Sequence, residues 1–160
     1  MDRSSSNGAK PFPHLVAAFF CEKLLKEADE VLSAIRIVDI IQIPPVPKNA
    51  SKGILLPNLA FVMMIRAGNF RGKAVCEVYN VGPSGKKIKA AQQEVEFGES
   101  PEKGVTMVIP AAIKWEKPGL YWFEVYLNKR RMTRSPLLIK IMPVRPEAEG
   151  KMAERKKPKD

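Results

Sequence analysis

Pro118-Gly119-Leu120-Tyr121-Trp122-Phe123-Glu124-Val125-Tyr126-Leu127, then Asn128-Lys129-Arg130-Arg131, then Met132 to Met142, is the stretch that decides the fold class. Tyr121, Phe123, Val125 and Leu127 alternate with Trp122, Glu124 and Tyr126, and a period of two is the signature of a strand with one buried face. Pro118-Gly119 opens that strand as a turn pair, and Asn128 stands where the chain must reverse. The segment therefore predicts a β-hairpin, with Tyr121, Phe123, Val125 and Leu127 toward the core and Leu138 buried beside them from the returning strand.

Further candidates lie upstream. Leu59 to Arg66 is an apolar run between Pro57-Asn58 and Gly68. Lys73 to Tyr79 alternates and ends at the turn cluster Gly82-Pro83-Ser84-Gly85, Ile88 to Phe97 alternates with glutamine and glutamate outward, and Val105 to Ile109 is rich in β-formers. Residues 14–43 are ambiguous. Leu24, Leu25, Ala28, Val31, Leu32 and Ile35 trace a helical stripe, whereas the β-branched run Ile35 to Ile43 favours a hairpin turning near Ala28-Asp29-Glu30. Taking the hairpin, the whole chain reads as an all-β fold, one antiparallel sandwich of seven or eight strands. A flexible leader (1–13) precedes the sandwich domain (14–143), and a disordered basic tail (144–160) follows it.

Two segments resemble a family of small, uncharacterised bacterial proteins. One is Phe20-Cys21-Glu22-Lys23 with Val31-Leu32-Ser33-Ala34-Ile35-Arg36-Ile37-Val38-Asp39. The other is Lys117-Pro118-Gly119-Leu120-Tyr121-Trp122-Phe123-Glu124-Val125-Tyr126-Leu127 with Ser135-Pro136-Leu137. The resemblance spans most of 14–142 and is carried by its two ends. It implies a single immunoglobulin-like β-sandwich and supports the hairpin reading of 14–43. It implies no activity, cofactor or site, and it does not account for the basic tail.

Composition bounds the function. The 160 residues suffice for one domain with a real core, and 45% hydrophobic content is globular. A net charge of +10 favours anionic partners and also solubility. No run approaches the roughly 20 apolar residues that cross a bilayer. Leu15 to Cys21 is followed at once by Glu22-Lys23, with no small-residue cleavage site, so a secretory signal is not expected. Cys21 and Cys76 are spaced like the pair of an immunoglobulin disulfide, but no Trp follows the first by a dozen or so residues. Two buried free thiols and a cytoplasmic location are expected instead.

Catalytic chemistry finds little to use. His14 is the one histidine in the chain, which starves Ser/His/Asp and Cys/His arrangements. No Cys or His pair has metal-ligand spacing. Gly82-Pro83-Ser84-Gly85-Lys86-Lys87 misses the phosphate-loop spacing. It has the G-x-x-G form of a KH loop, but between strands it reads as a hairpin turn. The remaining candidate surface comprises Trp122, Tyr126, Lys129, Arg130, Arg131 and Arg134, where aromatic rings beside cations could hold a single nucleic-acid strand. The alternative for the same residues is a packed ring pair beside a solvated hairpin tip. The expectation is a binding or accessory module, not an enzyme, with no cofactor. It would act through an unidentified protein partner, with nucleic-acid binding as the competing function. Oligomeric state is not legible.

Overall fold

The structure is a computed structural model that describes residues 11–45, 59–100, 104–111, 113 and 117–143. The expected tail and most of the expected leader lie outside the described residues. Of the leader's last residues, Pro13 is buried and Phe12 packs against the core.

Among the described residues there are nine strands: β1 (His14–Lys26), β2 (Leu32–Val38), β3 (Ile40–Ile43), β4 (Ala60–Arg66), β5 (Gly72–Val81), β6 (Lys87–Phe97), β7 (Gly104–Pro110), β8 (Gly119–Leu127) and β9 (Arg130–Ile141). They form two sheets, ordered β2-β1-β4-β7 and β3-β9-β8-β5-β6. Every pairing is antiparallel except β3 with β9. The connections from β4 to β5, β6 to β7 and β7 to β8 each change sheet, the Greek-key wiring of an immunoglobulin-like sandwich.

Residues 14–43 form the expected hairpin, because β-branched side chains fit a pleated surface better than the helical stripe fits a helix with no partner. The turn is closed by Glu27 and Val31 backbone groups and by Asp29, whose carboxylate accepts from the Val31 N–H. The second half is not one strand, and this brings the total to nine. At Asp39 the chain leaves β1 and crosses to the other sheet, where the Asp39 carbonyl accepts from Leu138 and β3 runs parallel to β9.

The core is aromatic at its centre. Phe20 and Phe61 of one sheet meet Phe123 of the other, with ring centroids 4.8 Å apart for Phe20–Phe123 and 5.1 Å for Phe61–Phe123. Tyr121, Phe123, Val125 and Leu127 are all buried, as the alternation requires. Tyr121 donates its hydroxyl to the Lys117 carbonyl at 3.0 Å, the tyrosine corner of this fold class. Phe123 then occupies the position two residues on, where antibody domains carry the second cysteine of their inter-sheet disulfide. Rings packed edge-on and tilted here do the cross-sheet work that a disulfide does there.

Leu138 departs from expectation. It is half-buried, while Leu137 and Ile139 are fully buried. The β8–β9 register runs Leu127↔Arg130 and Tyr126↔Arg131, then jumps to Val125↔Thr133, leaving Met132 as a one-residue bulge. A bulge of one residue inverts the parity of everything after it. Ser135, Leu137 and Ile139 consequently face inward, and Arg134 faces outward opposite Glu124. The buried Ser135 hydroxyl is satisfied across the sandwich by the Ala18 carbonyl at 3.3 Å.

Candidate functional site

The outer face of the five-stranded sheet carries a continuous network centred on Glu124. Cross-strand pairing aligns Tyr79 with Glu124, Glu77 with Tyr126 and Val81 with Trp122, while Lys87 and Lys89 reach in from β6. The Glu124 side chain is only 9% exposed. It accepts from Lys87 Nζ at 2.8 Å, from the Tyr126 hydroxyl at 3.0 Å and from Arg134 Nε at 3.4 Å, with Arg131 at 3.9 Å. The Lys87 hydrogen bond holds the Glu124 carboxyl below the usual carboxylate range, and the same contact raises the Lys87 ammonium. A second pair sits beside it: Lys89 donates to Glu77 at 2.6 Å and lowers that carboxyl in turn.

The aromatic rings are engaged by the same cations. Lys87 Nζ lies 4.4 Å from the Tyr79 centroid and 4.3 Å from that of Tyr126, and the two rings meet edge-on at 5.5 Å. Arg134 stacks on Trp122 at 4.2 Å. A base stacking on Trp122 or Tyr126 would have to displace a cation from the ring. Both carboxylates are already committed to lysines, so neither is poised as a free general base.

The six candidate residues thus divide. Trp122, Tyr126 and Arg134 join the Glu124 network, and Arg131 touches its edge. Lys129 and Arg130 stand apart at the hairpin tip. That tip is a two-residue turn with Asn128 at φ 45° and Lys129 at φ 67°, the left-handed pair of a type I′ hairpin. Asn128 locks it against β5: its side-chain oxygen accepts from the Val75 N–H, and its own N–H donates to the Val75 carbonyl, both at 2.9 Å. Glu124, Tyr79, Lys87, Lys89 and Glu77 were missed by sequence reasoning. The one available signal was that alternation sets Glu124 on the same side as Trp122 and Tyr126.

The Gly82–Lys87 segment is the β5–β6 turn, closed by the Gly85 N–H to the Gly82 carbonyl and the Gly82 N–H to the Lys86 carbonyl. Cys21 and Cys76 are free and buried, and burial pushes the Cys76 thiol up to about 11. Among the described residues, no group of three His, Cys, Asp or Glu could hold a metal ion. No helix among them is long and apolar enough to cross a membrane.

The remaining surface is different in kind. Among the described residues, five of the eleven exposed large hydrophobic ones, Val31, Leu32, Ile35, Ile37 and Ile40, fall within ten positions on or beside the edge strand β2. Ile37 is 67% exposed. Arg36, at φ 49°, interrupts the free edge of that strand and pairs with Glu22.

No family model matches the chain, and no curated protein matches it. Several solved structures show a similar arrangement, three of them as follows. One is the alkylpurine DNA glycosylase AlkC of Pseudomonas fluorescens, bound to DNA containing an abasic site analogue, at 12% identity and a TM-score of 0.46 over 83% of this chain and 32% of that one. Another is a β-glucosidase from Listeria innocua in complex with isofagomine, at 16% identity and a TM-score of 0.43 over 82% of this chain and 17% of that one. The chain therefore spans about a third and a sixth of these two proteins. The third is an immunoglobulin-like protein from Pseudomonas aeruginosa, matched along its full length at 13% identity and a TM-score of 0.38, over 83% of this chain. At these identities the likenesses concern the fold alone.

Proposed function

We propose that this chain is a non-enzymatic binding module whose partner is a protein docking on β2 and the turn before it. The observation that carries this is the concentration of exposed Val31, Leu32, Ile35 and Ile37 on the edge strand β2 and the turn before it, with Ile40 exposed just after the chain crosses to the other sheet. Apolar groups gathered in one place on a surface mark an interaction site, whereas singly scattered ones do not. The left-handed Arg36 breaks the row of edge hydrogen-bonding groups, so side chains, not an added strand, make the contact. The two buried free thiols support a reducing, cytoplasmic compartment. Membership of the bacterial family resembled at the two terminal hairpins belongs to the same reading.

A photo-crosslinking residue placed at Ile37, with one at the exposed Glu94 as control, tests the docking site in cells. A discrete protein adduct at 37, lost when Ile35 is changed to Lys, is the expected result. Absence of that adduct overturns the reading. A salt-titrated binding assay on single-stranded DNA and RNA decides the competing function. A steep loss of affinity with salt, which reports phosphate contacts, would replace the protein-partner reading with the nucleic-acid one.

A further inference from the structure

Among the described residues each sheet ends in two edge strands: β2 and β7 in one, β3 and β6 in the other. An unpaired edge offers its N–H and C=O groups to any other strand, and β proteins ordinarily blunt it. Three of these four edges are blunted. β2 carries the left-handed Arg36, and β3 has only four residues, between Asp39 and Pro44-Pro45. β6 has a bulge at Ala90 and exposes Lys87, Lys89, Glu94 and Glu96. β7, Gly104-Val105-Thr106-Met107-Val108-Ile109-Pro110, has none of these devices. It bears no charged side chain, pairs with β4 in unbroken register, and meets a proline only at its last position.

The direction of its backbone groups is fixed by one bond. Ala111, next after β7, donates its N–H to the Leu59 carbonyl at 2.7 Å. Hydrogen-bonded positions recur at every second residue of an antiparallel ladder, so Val105, Met107 and Ile109 also turn their backbone groups to β4. Thr106 and Val108 turn theirs to the open side. Pro110 falls on the open side as well, where an edge strand tolerates a residue without an N–H. The side chains alternate too. Val105, Met107 and Ile109 pack on the core, while Thr106 and Val108 are exposed on the outer face. The pattern is therefore symmetric about Met107.

We infer that β7 is the docking edge for a second copy of this chain, whose own β7 lies antiparallel to it with Met107 on the twofold axis. The symmetry of the pattern carries the choice of occupant. In that register Thr106 of each copy faces Val108 of the other as a hydrogen-bonded pair, which engages the open-side N–H of both residues. Val105 faces Ile109, so core-facing side chains stay beside core-facing ones and no charge opposes its like. The contact is isologous and closes as a dimer. It joins the two four-stranded sheets into one whose outer edges are the blunted β2 strands. The docking surfaces proposed on β2 then lie at opposite ends of that sheet, but the dimer does not depend on them.

Sedimentation velocity of the full chain over a concentration series tests it. A monomer–dimer equilibrium is expected, with a Kd on the order of 0.1 mM, because a single strand seam is a small interface. T106K/V108K sets lysine against lysine across the seam at exposed positions and should weaken the dimer at least tenfold. T106E/V108E should do the same, and an equimolar mixture of the two variants should restore the dimer. Hydrogen exchange supplies the backbone signature. The Thr106 and Val108 amides should slow as protein concentration rises, whereas those of Met107 and Ile109, bonded to β4, should be slow throughout. A photo-crosslinking residue at Thr106 separates the occupants in cells: an adduct of twice the chain's mass is expected, and an adduct to a different protein in its place overturns the inference. The inference also fails if the wild type is monomeric at about 1 mM, if its dimer survives T106K/V108K, if mixing leaves two folded variants monomeric, or if the Thr106 and Val108 amides exchange alike in monomer and dimer.

Discussion

Glu124→Gln keeps the shape of the side chain and removes the charge on which the outer network is built. The carboxylate is 9% exposed and serves Lys87, Tyr126, Arg134 and Arg131. Deleting one hydrogen bond to a charged group costs about 1.5–3 kcal/mol where the partners are buried. Here the cations are 40%, 43% and 58% exposed, so water and salt take up much of the loss. The glutamine also retains an oxygen acceptor for Lys87 or Tyr126. A destabilisation of about 1–2 kcal/mol at pH 7 follows, read as a lower urea midpoint with an unchanged slope. The pH dependence has a definite sign. The Glu124 carboxyl is lowered in the folded state, so its contribution is complete above the ordinary carboxylate range and disappears as pH falls through the lowered value. Wild type and variant should therefore converge in acid, since every other carboxyl is common to both. They should also approach each other in high salt. Equal stability at pH 7, or a gap that persists at pH 2, would refute the network as an electrostatic unit.

Three further perturbations test the rest. Phe123→Ala should cost about 3–5 kcal/mol by denaturant unfolding, since it empties the centre of the Phe20–Phe61–Phe123 cluster, while Arg130→Ala should change stability by no more than about 0.5 kcal/mol; similar values for the two would contradict the face assignment. Asn128→Ala should cost about 1–2 kcal/mol by losing the Val75 hydrogen bond and straining φ 45°, and Asn128→Gly should cost less because only the bond is lost. With the Cys76 thiol at about 11, only about one molecule in a thousand carries a thiolate there at pH 8, and Cys21 is raised by burial as well. Ellman's reagent should find no thiol in the native protein and two after guanidine is added; rapid native labelling would show that the sandwich opens readily.

The hairpin of β8 and β9 was readable because its information is local: alternation, a Pro-Gly opening and an asparagine at the reversal. Where the inference had to cross the turn it failed, at Leu138. Counting parity from Leu127 through a two-residue turn places even-numbered residues of β9 inward. That count holds only until Met132, and no local sequence feature marks Met132 as a bulge. The same physics limited the site. Trp122, Tyr126 and Arg134 were visible as rings and a cation. Lys87 and Tyr79 come from strands distant in sequence, and only the sheet order brings them beside Glu124. The division of Val31–Ile43 at Asp39 was likewise hidden, since both pieces are β-branched and only the partner strand changes.

The two outer faces place opposite demands on a ligand, and the magnitudes favour β2. A nucleic-acid base stacking on Trp122 or Tyr126 gains about 1–3 kcal/mol. To gain it, the base must lift Arg134 or Lys87 off the ring, forfeiting a cation–π contact of about 0.5–1 kcal/mol and the ion pair with Glu124 that the same cation makes. Little is left over per base. Full burial of an isoleucine side chain contributes about 1.5–3 kcal/mol. Ile35 is 41% exposed and Ile37 67%, so covering both yields roughly the value of one complete isoleucine. Val31, Leu32 and Ile40 are exposed too, and Arg36–Glu22 is the one ion pair on β2 among the described residues. A partner with an apolar surface gains there without first dismantling a buried carboxylate network. That difference in cost is why the protein-partner reading stands ahead of the nucleic-acid one despite a net charge of +10.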